Sequence, residues 1–159
     1  MNNHLQHIEA LAENILLKSG QREAPVDVEK IAEKVGLKII AFEFANSISA
    51  VLKKRKLVIG VNKNHSSLRQ HFSIAHELGH FLLGHDLGVN EDDFVDDTFD
   101  KSLPIEREAN IFAAMLLMPK KWVEKSVKEK GMEVPRLARE FKVSEQAMTI
   151  RLLELNLIK

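Results

Sequence analysis

His76 and His80 stand four positions apart with Glu77 beside the first, a spacing that acquires a use when the segment is a helix. At i and i+4 both imidazoles then project from one face and can share a metal ion. Glu77 projects at another angle, where it can reach a water on such a metal rather than the metal itself, which is the placement of a general base. The pentapeptide points to zinc-activated hydrolysis, with Glu77 as the candidate catalytic residue.

From the 7 His of this chain and its Glu content, such a match is expected by chance about 0.03 times, so context must decide. From Ser66 to Leu83 the positions Leu68, Phe72, Ala75, Leu78, Gly79 and Leu82 recur at spacings of three and four, and no Pro interrupts them. Ser66 or Ser67 can cap the start and Gly84 can end the helix.

The chain has 159 residues, 45% of them hydrophobic, which suits one domain with a sizeable core. Its 23 basic and 23 acidic side chains cancel, so bulk charge gives no reason to expect attraction to nucleic acid or membrane. The absence of Cys excludes disulfides and Cys-ligated zinc, leaving His, Asp and Glu as ligands, and agrees with a reducing cytoplasm. The first residues lack the basic start and apolar core of a signal peptide, and no apolar run reaches membrane-spanning length.

Along the chain, Leu5, Ile8, Leu11, Ala12, Ile15 and Leu16 form a helical stripe that Gly20 stops. Asp27 can cap a second helix carrying Val28, Ile31, Ala32 and Val35, with Gly36 as its stop. Leu37 to Phe44, Ile48 to Lys53 and Lys56 to Val61 read as three strands of a small antiparallel meander. That sheet is expected beside the metal helix, where an edge strand could bind an extended peptide. The expected fold class is α+β, mainly helical. A single domain over 1–159 would comprise N-terminal helices (1–36), the sheet and zinc-binding helices (37–118) and a C-terminal helical segment (119–159).

Asp86 to Ile105 contains Asp86, Glu91, Asp92, Asp93, Asp96, Asp97 and Asp100 against one Lys101. A connection of that length between two metal-bearing helices can wall a cleft, favour basic substrates, or simply be a solvated loop. Val89, Phe94, Val95 and Phe99 argue that part of it docks on the protein. Its spacing does not match a calcium-binding EF-hand loop.

A catalytic zinc normally takes three protein ligands and keeps a fourth position for water. The third is sought on a helix from Pro104 to Pro119, whose small residues permit close packing. Glu106, Asn110 and Ala113 share one face, so Glu106 could bind metal while Asn110 hydrogen-bonds a ligand one turn on. Glu108 is the alternative ligand, less favoured because it shares its face with Ile111, Phe112 and Met115. His85 and Asp86 are rivals just beyond the metal helix, though their register is imperfect, and His85 is kept as an outer or substrate-side candidate. His4 and His7 read as exposed helix residues, and His65 and His71 are remote from the motif.

These residues resemble the ImmA/IrrE metallopeptidases. Phe72-Ser73-Ile74-Ala75 before the His-Glu-x-x-His helix is similar to that family. So is the run Glu106-Arg107-Glu108-Ala109-Asn110-Ile111-Phe112-Ala113-Ala114-Met115-Leu116-Leu117-Met118-Pro119. The resemblance extends over essentially the whole chain and implies a gluzincin-like site of His76, His80 and Glu106 holding one Zn2+ per chain in a zincin-like core. It also implies a peptidase that cleaves or otherwise inactivates a helix-turn-helix transcriptional repressor. The chain has no Tyr, so any further oxyanion donor must be a histidine, arginine, asparagine or backbone amide.

The C-terminal part reads as helix-turn-helix: Leu137, Ala138 and Phe141, a turn through Lys142-Val143-Ser144, then Ala147, Met148, Ile150, Leu152 and Leu153. Residues 119–159 carry 10 basic and 6 acidic side chains, a modest excess that favours a core cap or partner-binding unit over DNA contact. Two classes of function result: a zinc endopeptidase acting on a regulator, and a regulatory protein- or DNA-binding module that uses the metallopeptidase-like fold without cleaving. The sequence specifies no oligomeric state.

Overall fold

The computed structural model describes residues 2–87 and 103–159, which include seven helices and a three-stranded sheet. The chain divides into two compact units, Asp27–Ala113 and Met1–Val26 with Ala114–Lys159. Most of the acidic connection lies outside the described residues. No described helix is long and apolar enough to cross a membrane.

In the unit Asp27–Ala113, α2 (Val28–Lys34) starts at Asp27, whose carboxylate accepts from the Lys30 amide, and buries Val28, Ile31 and Ala32. Strands β1 (Lys38–Phe42), β2 (Ala50–Lys53) and β3 (Val58–Asn62) follow. Then comes α3 (Ser67–Leu82), capped by the Ser66 hydroxyl accepting from the Arg69 amide. Helix α3 packs on β2, β3 and α2. Ile59, Ala75 and Leu78 are fully buried, and each large aliphatic side chain so buried stabilises the fold by about 1.5–3 kcal/mol. Helix α4 (Pro104–Leu117) begins in this unit and brings Ala109 and Phe112 against α3.

The expected antiparallel meander is corrected by the structure. The strand order is β1-β3-β2, with β3 antiparallel to β2 and parallel to β1. The four residues 54–57 close a hairpin between β2 and β3, and Leu57 there has φ 53°. Residues 43–49 carry the chain from one edge strand to the other. That crossing is held by Asn62, fully buried, whose Nδ2 lies 3.3, 3.1 and 2.8 Å from the carbonyls of Phe44, Ala45 and Ile48. The central place thus goes to β3, with Ile59, Gly60, Val61 and Asn62 all buried, while β1 keeps Lys38, Ala41 and Phe42 exposed at an edge. Alternation in a sequence assigns faces; it does not assign strand order.

In the other unit, α1 (Asn3–Lys18) buries Ile8, Ala12 and Leu16 and ends before Gly20 at φ 73°. Helices α5 (Lys120–Lys130), α6 (Val134–Phe141) and α7 (Glu145–Glu154) follow. Lys142 in the left-handed conformation and Ser144, accepting from the Ala147 amide, form the turn between α6 and α7, which pack together. Leu137, Phe141, Met148 and Leu152 are buried there, whereas Ile150 and Leu153 of the expected apolar set are about half exposed. Arg151 is buried and donates from Nε to the Met118 carbonyl at 3.0 Å.

Candidate metal centre

Helix α3 carries His76, Glu77 and His80, and α4 carries Glu106 in its first turn and Asn110 one turn later. Their approach is set by Gly79, where a Cβ would stand 3.1 Å from the Phe112 ring and 3.2 Å from the backbone of Ala109. A glycine inside a helix costs about 1 kcal/mol relative to alanine. Its presence between the two histidines was the available sequence signal of a close helix contact.

That contact lets Glu106 reach both imidazoles: its Oε2 is 2.9 Å from His76 Nε2 and its Oε1 is 3.0 Å from His80 Nε2. The two Nε2 atoms are 3.0 Å apart. Among the described residues, His76, His80 and Glu106 form a group whose ligand atoms lie within 4.8 Å of one another and could hold a metal ion. Glu77 is buried on the same turn.

The donor set fits a cation. His76 Nδ1 lies 2.8 Å from Asn110 Oδ1, and an amide oxygen accepts, so this nitrogen carries the proton and a neutral His76 presents a lone pair at Nε2. That lone pair faces a carboxylate oxygen. Glu106 Oε1 is buried and accepts no hydrogen bond despite the nearness of His80. Converging lone pairs without a donor are what a divalent ion relieves.

Burial works against protonation of His76, but the hydrogen bond to Glu106 and the charges of Glu77 and Glu106 outweigh it and raise its pKa. His80 is pushed below the ordinary imidazole value, first by burial and then by the neighbouring His76 and His85, against the pull of Glu106. Burial resists ionisation of Glu106, yet the two histidines beside it outweigh that and hold its carboxyl at about 2.

Of the other candidates, Glu108 is not brought to the pair of histidines; its Oε2 lies 2.7 Å from His85 Nε2, and His85 Nδ1 lies 2.9 Å from His80 Nδ1. Asp86 is exposed and outside the group. Lys54 of the β2–β3 turn, which the sequence did not single out, donates from Nζ to the His85 carbonyl. Nothing local in the sequence links that turn to His85.

A family model described as the IrrE N-terminal-like domain, Peptidase_M78, matches residues 32–153. This chain belongs to that family. The matched segment includes all of β1 to β3, α3 and α4, and so the whole candidate centre; a metallopeptidase-like domain is the function class the family carries. No curated protein matches the chain. Among solved structures, a Mycobacterium tuberculosis transcriptional regulator is similar in fold, with a TM-score of 0.67 at 17% identity. The match covers 92% of this chain and 46% of that one, so this IrrE-like chain spans about half the length of its structural neighbour.

Proposed function

We propose that this chain is a zinc-dependent endopeptidase that hydrolyses a peptide bond in a regulatory protein, with a helix-turn-helix transcriptional repressor as its substrate. The observation that carries the reading is the convergence of His76, His80 and Glu106 one residue from a buried carboxylate, Glu77. Membership of the Peptidase_M78 family supports peptidase chemistry, and the choice of a repressor rests on the ImmA/IrrE resemblance alone. The reading places the protein in the cytoplasm, without membrane attachment and without direct DNA contact.

His76, His80 and Glu106 would hold the ion, and a bound zinc would supply Lewis acidity, acidifying a coordinated water and polarising the scissile carbonyl. Glu77 would accept the proton of the attacking water as the new C–O bond forms, then deliver it to the departing amine as the C–N bond breaks. Its charge already acts on His76, so it lies close to the group it would serve. Asn110 would keep His76 in the tautomer that presents Nε2.

Glu77→Gln tests this. Cleavage of the repressor should fall by at least about a thousandfold, while zinc content and repressor binding stay near wild type. The second reading is a regulatory module that binds without cleaving, favoured by the neighbour described as a transcriptional regulator. A Glu77→Gln protein that clears the repressor at the normal rate would overturn the peptidase reading.

A further inference from the structure

We infer that His85 and Glu108 are positioning residues: together they hold His80 in the one tautomer whose Nε2 faces the metal. The inference rests on the proposed zinc site, and for a neutral His85 its direction follows from donor and acceptor chemistry. A carboxylate only accepts, so the proton in the 2.7 Å contact between Glu108 Oε2 and His85 Nε2 belongs to the imidazole. Neutral His85 protonated at Nε2 presents a lone pair at Nδ1. The 2.9 Å contact between His85 Nδ1 and His80 Nδ1 therefore takes its proton from His80. His80 Nε2 is left as a lone pair, aimed where Glu106 Oε1 and His76 Nε2 meet it at 3.0 Å.

The end of α3 is built to return His85 to this place. Gly84, at φ 70°, turns the chain in the left-handed conformation. The amides of Gly84 and His85 donate back to the carbonyls of Phe81 and His80 at 3.3 and 3.0 Å, the pattern of a glycine-terminated helix. The turn reverses the chain within one residue, so the His85 ring comes back over His80, with ring centroids 5.1 Å apart. Lys54 then fixes the His85 carbonyl from the sheet side. His85 is 7% exposed, which keeps water from competing for either ring nitrogen.

The two metal-facing imidazoles are thus held unequally: His76 leans on a neutral amide and His80 on an imidazole backed by a carboxylate. Hydrogen bonds of this kind raise the basicity of the ligand nitrogen and fix its ring, and their loss typically costs about 10–100-fold in metal affinity. The chain also commits Glu108 to His85, which removes it from the set of metal ligands.

The test is nitrogen-15 NMR of the full chain with labelled histidine, metal-free and with added zinc, beside zinc affinities for Glu108→Gln, His85→Phe and the double variant. His80 should be protonated at Nδ1 and His85 at Nε2 in the wild type. That preference should weaken in Glu108→Gln, whose half-buried site tolerates the change without unfolding. Zinc affinity should drop about 10–100-fold in either single variant, and the double variant should bind no more weakly than His85→Phe, because Glu108 acts through His85. Protonation of His80 at Nε2, unchanged affinity in both variants, or losses that multiply in the double variant would overturn the inference. The zinc-site reading fails separately: a wild type that takes up no zinc, yet shows the Nδ1 proton on His80 and its dependence on Glu108, leaves the positioning chain standing.

Discussion

Gly79 of α3 and Ala109 of α4 lie so close that a methyl group on the first would sit 3.2 Å from the backbone of the second. Ala109 follows Glu106 by three residues on the same helix face. The depth of this contact therefore decides whether a glutamate side chain can reach both imidazoles at 2.9 and 3.0 Å. The glycine inside the His-Glu-x-x-His segment is as much a part of the centre as the side chains that face it.

Gly79→Ala should weaken zinc binding more than it weakens the fold. Alanine adds about 1 kcal/mol of helix preference, against about 1–3 kcal/mol for overpacking a helix contact whose near atoms are backbone. The expected result is a melting temperature lowered by no more than about 8 °C and a zinc affinity reduced about tenfold as α4 moves outward and Glu106 loses its reach. Calorimetric titration beside a thermal melt measures both, and an unchanged affinity would show that the contact does not position Glu106.

Glu106→Gln should lose the ion, because among the described residues the carboxylate is the one negative member of the His76, His80 and Glu106 group, and neutral Gln replaces its charged oxygen with an amide. Wild-type protein purified without added metal should carry about one zinc per chain, and Glu106→Gln well under a tenth of that. Elemental analysis of both proteins measures it. Retention of zinc by Glu106→Gln would mean that the ion sits elsewhere.

Glu140 provides a pH-dependent stability difference away from the centre. Its carboxylate accepts from Lys130 Nζ at 3.0 Å, Ser126 Oγ at 2.8 Å and Arg136 Nη1 at 2.6 Å. Burial works against its ionisation, but these partners prevail and lower its pKa. A depressed carboxyl contributes stability above the unfolded-state value, about 4.3 for glutamate, and loses it as pH falls through the folded value. Glu140→Gln should therefore cost about 1 kcal/mol at pH 7, with the difference from wild type shrinking steadily below about pH 4. Urea midpoints of the two proteins at several pH values would reveal it, and a difference independent of pH would assign the effect to packing instead of charge.

Much of the centre was legible in the chain because its parts lie on helices with clean local signals. Ser66 and Asp27 cap the helices expected of them, and Gly36 and Gly84 turn left-handed where those helices end. Four-residue spacing puts His76 and His80 on one face, and the same spacing puts Glu106 and Asn110 on another, so both pairs follow from helical geometry alone. Peptide-bond geometry and side-chain spacing act over a few residues, which is the range a sequence displays directly.

What the chain could not display were relations across distance. The expected meander put β2 at the centre of the sheet, but β3 takes that place, with Asn62 gathering the carbonyls of Phe44, Ala45 and Ile48 across the connection. Glu106 and Glu108 were separable only as neighbourhoods until α4 was docked on α3; docking sent one carboxylate to His76 and His80 and the other to His85. The sequence by itself determined the helices and which side chains share each helix face. The tertiary structure decided which faces meet, because the order of strands and the depth of a helix contact are set by packing and buried hydrogen bonds between residues far apart in the chain.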